Sequence, residues 1–387
     1  YKLVRRPLIS GDYVEEKVPW SYETLRQDYG RGNLPEVEKY DGFCIIPDHV
    51  NYRQVHGTYL NQYEPVPHQP GEGEFPHIQA FLNHIFGEQT ELGLDYLQIL
   101  YTRPTQMLPI LLLVSNERNT GKTTFLRLLK MIFGKNATFN TNEDFRSQFN
   151  ADWANKLLVL VDELLLNKME DTEKIKNLST AGDYKIEAKG KDRREIEFFA
   201  KFVLCSNNER NPVLIEAAET RYWVRRVPPL PYDDQHLLVK MQAEIPGLLF
   251  YLQQRMLSSY EESRMWFAPR LLATDALRRI VHYNRSKTET EMLSIIHDIM
   301  EAENLADYRF DVSDMVNMLE IRGIRSDHPT VQRILAENWQ LRPAPPIYYQ
   351  RYTITYNGET QRQDGKTARV YTVTREQLGG LLNDAAM

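Results

Sequence analysis

Short runs of apolar residues recur through the middle of the chain, each closed by small or charged residues: Ile110-Leu111-Leu112-Leu113-Val114, Leu157-Leu158-Val159-Leu160-Val161, Phe202-Val203-Leu204-Cys205 and Tyr222-Trp223-Val224. Continuous apolarity predicts strands buried on both faces, and the helix-patterned stretches between them predict a mostly parallel sheet covered by helices over residues 107–230. Before this region the period changes. Ile78, Phe81, Leu82, Ile85 and Phe86 share one helical face, and Leu94, Leu97, Leu100 and Tyr101 another. Residues 1–72 mix short aromatic and β-branched runs with Pro and Gly, which reads as an irregular, strand-containing segment closed by a Pro-rich linker.

After Pro228-Pro229-Leu230-Pro231 the pattern is helical from about Asp233 to Tyr260, with Pro246 predicted to interrupt it, and again from Leu271 to His282. The last hundred residues read as a separate module. Helices are expected at Glu291 to Glu301, at Val312 to Ile321 closed by Gly323, and at Pro329 to Ala336 capped by Asp327 or His328. Two alternating segments, Tyr349 to Tyr356 and Thr367 to Val373, follow, joined by a loop holding Asn357-Gly358 and Asp364-Gly365. Helices followed by a β-hairpin suggest a winged helix. The divisions are residues 1–72, a helical collar-like segment at 73–106, an α/β core with its following helices at 107–265, and a winged-helix-like domain at 266–387.

At 387 residues the chain exceeds one ordinary core, and 42% hydrophobic with 26% charged residues describes a globular protein. Cys44 and Cys205 lie far apart and outside any paired motif, which excludes a disulfide framework and argues against a cysteine zinc site. The histidines lack metal-site spacing; His49 and His56 read as surface or core residues. The longest apolar run is too short to span a membrane and contains Pro109, so a cytoplasmic setting is the default. A net charge of -6 means that any nucleic-acid contact must come from locally concentrated basic residues.

The chemistry begins where the first apolar run ends. Ser115-Asn116-Glu117-Arg118-Asn119-Thr120-Gly121-Lys122-Thr123-Thr124 joins that strand to the helix-like Phe125-Leu126-Arg127-Leu128-Leu129-Lys130. A strand, a tight loop and a helix in this order point backbone N–H groups at a nucleotide's phosphates. Lys122 is then placed for the outer phosphates and the Thr123 hydroxyl for Mg2+, making ATP and Mg2+ the expected cofactors. The full pattern asks for Gly where Asn116 stands. Asn tolerates a left-handed backbone, which would let the loop close.

Three further signals follow. The second apolar run ends in Asp162-Glu163, a carboxylate for the Mg2+ shell and one to orient and deprotonate water. The third ends in Ser206-Asn207-Asn208, where an amide suits the γ-phosphate or the lytic water; Asn207 is the first choice and Asn208 the alternative. Arg221 opens the fourth and suits a finger acting on a neighbouring subunit's phosphates, with Arg225 and Arg226 open as strand-edge charges. Between the second and third signals, two alternating segments flank a tip carrying Lys189, Lys191, Arg193 and Arg194 around Gly190, suited to the phosphates of single-stranded DNA.

This order resembles superfamily 3 helicases, a branch of the AAA+ ATPases found in viruses, phages and mobile elements. The marks are the Asn119-Thr120-Gly121-Lys122-Thr123 core, the Asp162-Glu163 strand, the basic hairpin, Ser206-Asn207, and Arg221 fourteen residues after Asn207. The resemblance covers about residues 75–230, and the wider layout looks like the helicase half of phage and poxvirus primase-helicases. It implies a P-loop AAA+ core and a homo-hexameric ring that unwinds DNA 3′ to 5′ in a bacterial host or at a viral replication site. It also implies Asn207 as polar sensor, Arg221 as trans-acting finger and Lys189 or Lys191 on DNA. A chain opening at Tyr1 without Met fits a piece that follows a primase or polymerase module. An ATP-switched replication initiator or loader is the alternative. For the C-terminal module, DNA and protein docking both stay open, because the outward face of Thr330, Gln332 and Arg333 is not strongly basic.

Overall fold

The computed structural model describes residues 2–9, 13–30, 32–147, 150, 152–164, 169–186, 194–216 and 219–383. The chain divides into two compact units, one of Tyr1–Cys44 with Gln54–Gln62 and one of Ile45–Arg53 with Tyr63–Met387. The smaller unit pairs Lys2–Pro7 antiparallel with Tyr13–Val18 and sets Gly42–Cys44 beside Tyr59–Asn61 and Val55–His56. It also holds a helix, Tyr22–Tyr29, that the apolar pattern does not announce. Nothing in that helix is buried, so its signal is local: the Ser21 hydroxyl accepts the Thr24 N–H as an N-cap.

The larger unit is built on a sheet whose order, among the described residues, is Tyr222–Arg226, Ile110–Val114, Lys201–Ser206, Leu158–Val161 and Ala137–Phe139. Every neighbouring pair is parallel. The inner strands are buried along their whole length, which is why they read as unbroken apolar runs. Alternate side chains still serve different cores. Leu111, Leu113, Leu160, Val203 and Trp223 face the layer formed by Pro76–Phe86, Thr90–Thr102, Lys122–Phe133 and Leu237–Gln254. Ile110, Leu112, Val159, Leu204 and Val224 face the layer of Met169–Ser179 and Asp275–Tyr283. Each such side chain contributes about 1.5–3 kcal/mol of burial. No helix among the described residues is long and apolar enough to cross a membrane.

Two breaker signals were overridden by packing. Leu237–Gln254 runs as one helix through Pro246, whose carbonyl accepts the Gly71 N–H at 3.1 Å. Burial of Met241, Ile245, Leu248, Leu249 and Leu252 along that helix outweighs the hydrogen bond that proline removes. Asp364-Gly365 lies inside the strand Thr360–Ala368 and not in a turn, because the Tyr348 ring occupies the space a Cβ on Gly365 would need. The hairpin turn is the Asn357-Gly358 one, between Ile347–Ile354 and Thr360–Ala368.

The helices Lys287–Ala302, Val312–Ile321 and His328–Arg333 share a third core with that hairpin. Asp327 caps the last of them, accepting the Thr330 N–H at 2.9 Å. Tyr371–Thr374 turns back to pair antiparallel with Asp307–Phe310. Asp314, nearly inaccessible, joins helix to hairpin by accepting from Arg351 at 2.7 Å, from Lys366 at 3.1 Å and from the Tyr349 hydroxyl.

Burial opposes the ionisation of Asp314, but the bonds from Arg351, Tyr349 and Lys366 outweigh it and hold its pKa below the ordinary carboxylate value. The stability it contributes is therefore complete above about pH 4 and is lost as pH falls through the depressed value. Asp314→Asn is expected to lower stability at neutral pH and to flatten that acid dependence, followed by near-ultraviolet circular dichroism during acid titration.

Candidate functional site

All five parallel strands present their C-terminal ends along one edge, and the loops leaving the Ile110–Val114, Leu158–Val161 and Lys201–Ser206 strands meet there. The Lys201–Ser206 strand lies between the other two, so Asn207 falls between the Ser115–Thr124 loop and Asp162-Glu163. A pocket of about 450 Å³ opens at this point. Asn119, Thr120, Gly121, Lys122, Thr123 and Thr124 line one side of it; Asp162, Glu163 and Asn207 line the other.

Lys122–Phe133 begins inside the pocket, so its free N–H groups and the positive end of its dipole face the cavity. Gly121 caps that helix at φ 87° in the left-handed region. A side chain there would also press on the Phe81 ring, within 2.9 Å. Lys122 Nζ donates to Thr120 Oγ1 at 3.0 Å, and Thr123 Oγ1 donates to Asp162 Oδ2 at 2.8 Å. Burial pushes the Lys122 ammonium below its ordinary pKa, against the pull of the Asp162 and Glu209 carboxylates. A hydroxyl beside a carboxylate is a donor set suited to a hard, oxygen-seeking cation. No group of three or more metal-ligating His, Cys, Asp or Glu side chains occurs among the described residues.

Glu163 adopts φ 58°, an unusual backbone for a residue with a side chain. The following residue is clamped: Leu164 N donates to Cys205 O at 2.6 Å, and Ser206 Oγ donates to Leu164 O at 2.8 Å. Strained backbone of this kind concentrates at functional positions. Asn207 and Asn208 also separate. Asn208 Oδ1 accepts the Arg210 and Asn211 N–H groups at 2.9 and 3.0 Å, closing its own turn, while Asn207 faces the pocket.

Asn116 does not act as expected. The left-handed positions of the loop are Asn119, at φ 55°, and Gly121; Asn116 is not among the positive-φ residues. Its role lies in the side chain and amide: Asn116 N donates to Glu209 Oε1 at 3.0 Å and Asn116 Oδ1 accepts Glu209 N–H at 3.1 Å. Two other clasps hold the loop. His84 Nε2 bonds the Thr120 carbonyl at 3.0 Å, and Leu230 N donates to Asn119 O at 2.8 Å. Leu230 and Asp233 also line the pocket, although the Pro-rich stretch around them reads in sequence only as a chain breaker.

Arg221 stands apart. Its carbonyl accepts the Ile110 N–H, so it sits level with the start of the loop strand, at the sheet edge away from the pocket. At about 3.3 Å per residue, that is roughly 16 Å from the loop end. Its guanidinium bonds Glu219 at 3.2 Å, and Glu219 also pairs with Lys176 at 3.1 Å. Arg225 turns inward to Glu88, Gln89 and the Phe86 carbonyl. The strands Asp183–Ile186 and Arg194–Glu197 pair antiparallel, and Phe198 beyond them packs on Tyr184 and Trp153. Lys189, Lys191 and Arg193 lie outside the described residues, and Arg194 opens the second strand.

A family model described as a family of unknown function, DUF5906, matches residues 113–226, from the end of the loop strand to Arg226. No curated protein matches the chain. Solved structures do. The apo structure of the NrS-1 C-terminal region (305–718) is 18% identical, covers 93% of this chain and 91% of its own, and superposes with a TM-score of 0.64. Two further structures of that region are 19% and 16% identical, cover 86% and 93% of this chain and 80% and 91% of their own, and give TM-scores of 0.58 and 0.60. At these identities the likeness is one of fold, and it extends through the C-terminal module.

Because φ is positive at Glu163, Glu163→Gly is expected to be no less stable than the parent, whereas β-branched Glu163→Val costs about 1–2 kcal/mol. Urea unfolding of the two variants measures the difference.

Proposed function

We propose that this chain is an ATP-dependent DNA helicase of the superfamily 3 type, an AAA+ P-loop ATPase that works as a homo-hexameric ring on single-stranded DNA, moving 3′ to 5′ as the helicase part of a primase-helicase. The observation that carries the reading is the convergence of Lys122, the Thr123–Asp162 pair, Glu163 and Asn207 on one pocket at the mouth of a helix N-terminus. The placement of the Asn207 strand between the loop strand and the acid strand supports it, because a reacting γ-phosphate there is within reach of all three segments.

In this reading the loop N–H groups hold the phosphates of ATP and Lys122 leaves Thr120 for the outer ones. Thr123 and Asp162 would hold Mg2+, which would supply charge neutralisation at the phosphate oxygens. Glu163 orients water and accepts its proton, and Asn207 bonds the γ-phosphate or that water. Arg221 is remote from its own pocket, so its contribution goes to the pocket of a neighbouring copy. In this reading Lys189, Lys191, Arg193 and Arg194 contact DNA, and Phe198, which packs on Tyr184 of the Asp183–Ile186 strand just before Lys201–Ser206, would join DNA movement to the nucleotide site. The winged-helix-like module at 266–387 is the docking element.

Lys122→Ala is expected to abolish both MgATP binding and displacement of a strand from a 3′-tailed duplex. Glu163→Gln keeps nucleotide affinity while turnover falls by about 100-fold or more. Near-normal hydrolysis in that variant removes Glu163 from the role. Arg221→Ala should be inactive alone yet regain partial turnover when mixed with Lys122→Ala chains, whose Arg221 completes its pockets. A strict monomer with full activity on DNA would overturn the ring.

A further inference from the structure

Adjacent arginines at the end of the Tyr222–Arg226 strand go to opposite faces, as strand alternation requires. Arg225 is buried among Glu88, Gln89 and Phe86. Arg226 turns to the other face, where its Nε donates to Glu209 Oε1 at 3.0 Å. The same oxygen accepts the Asn116 N–H, so one carboxylate holds the loop's first turn and the guanidinium together. Arg226 is anchored there: it stands in register with Val114, the last residue of the loop strand, and Val227 N donates to Val114 O at 2.9 Å.

Glu209 has only 13% of its side chain exposed, against 55% for Arg226. Its Oε1 is held on the Asn116 N–H at the first turn of the loop that leads to Lys122, the side chain read above as meeting the outer phosphates. A carboxylate fixed at this place attracts Lys122 and repels a phosphate, and the repulsion grows with the charge of the nucleotide. The bond from Arg226 offsets the Glu209 charge.

We infer that Arg226 is a positioning residue that cancels the Glu209 charge at the first turn of the loop, so the Asn116–Glu209–Arg226 clasp sets the preference for ATP over ADP. This rests on the nucleotide reading above and adds a cis-acting arginine distinct from Arg221. Asn116 belongs to the device: glycine at that position would leave the Glu209 backbone N–H without its side-chain acceptor.

The test is the affinity for MgATP and for MgADP, measured by calorimetry on the full chain and on Arg226→Ala, Arg226→Gln, Arg226→Lys, Glu209→Gln and the Arg226→Ala/Glu209→Gln pair. Arg226→Ala is expected to weaken ATP by about 10-fold and ADP by no more than about 2-fold, because the unpaired carboxylate acts chiefly on the terminal phosphate. Removing the carboxylate as well restores the ratio, Arg226→Lys retains most of it, and the loss in Arg226→Ala shrinks as salt rises. A structural clasp alone would weaken both nucleotides equally and would not be rescued by the second substitution; that result overturns the inference. If Arg226→Ala does not fold, Arg226→Gln carries the same comparison. A wild-type chain that binds neither nucleotide overturns this inference and the nucleotide reading together, whereas binding with an unchanged ATP-to-ADP ratio in the Arg226 variants overturns this inference alone.

Discussion

Parallel pairing of strands buried on both faces is the constraint from which the site follows. Because Ile110–Val114, Leu158–Val161 and Lys201–Ser206 run in one direction, their exits share an edge, and polar residues that cannot enter the core collect there. The pocket is where that sheet releases its chain. The same geometry puts Arg221 at the other edge, since it precedes its strand while Asp162 and Asn207 follow theirs.

The Ser115–Thr124 loop does not stand by its own turn chemistry. Glu209 holds it at Asn116, Leu230 at Asn119 and His84 at Thr120, so segments far apart in sequence determine its shape. A helix from before the core, Pro76–Phe86, thereby becomes part of the site: Phe81 packs on Gly121 and His84 bonds the loop. The positive φ at Glu163 belongs to the same logic, with the Cys205 carbonyl and the Ser206 hydroxyl clamping the residue that follows it.

Charge in this chain is arranged to be local. On the C-terminal hairpin, Lys366 is committed to Asp311 at 2.7 Å and to Asp314, and Arg351 to Asp314, so these cations brace the fold; Arg362 lies against the Tyr352 ring. The module is joined to the core through the segment that follows Asn207. Asn284, ahead of the Lys287–Ala302 helix, donates to the Val213 carbonyl at 3.0 Å, between Asn207 and Arg221 in the chain.

The elements were legible wherever the apolar pattern was strong, because burial on one or two faces writes a period into the chain: the core strands, the helices Pro76–Phe86 and Thr90–Thr102 with Phe81, Leu97 and Tyr101 inward, and the helix Val312–Ile321. Pro246 and Gly365 misled, since local breaker signals are overruled when packing supplies a partner or needs the space. The Tyr22–Tyr29 helix stayed hidden because it buries nothing. In the site, residue types at short spacing marked Lys122, Thr123, Asp162, Glu163 and Asn207. Glu209, Arg226, His84, Leu230 and Asp233 carried no such mark, because their meaning comes from neighbours that are remote in sequence. The sequence by itself determined which segments would be strands, loop and helix, through periodicity and turn chemistry that act over a few residues. Only the tertiary structure decided the role of Asn116, whose backbone needs no special conformation and whose amide closes on a carboxylate 93 positions away.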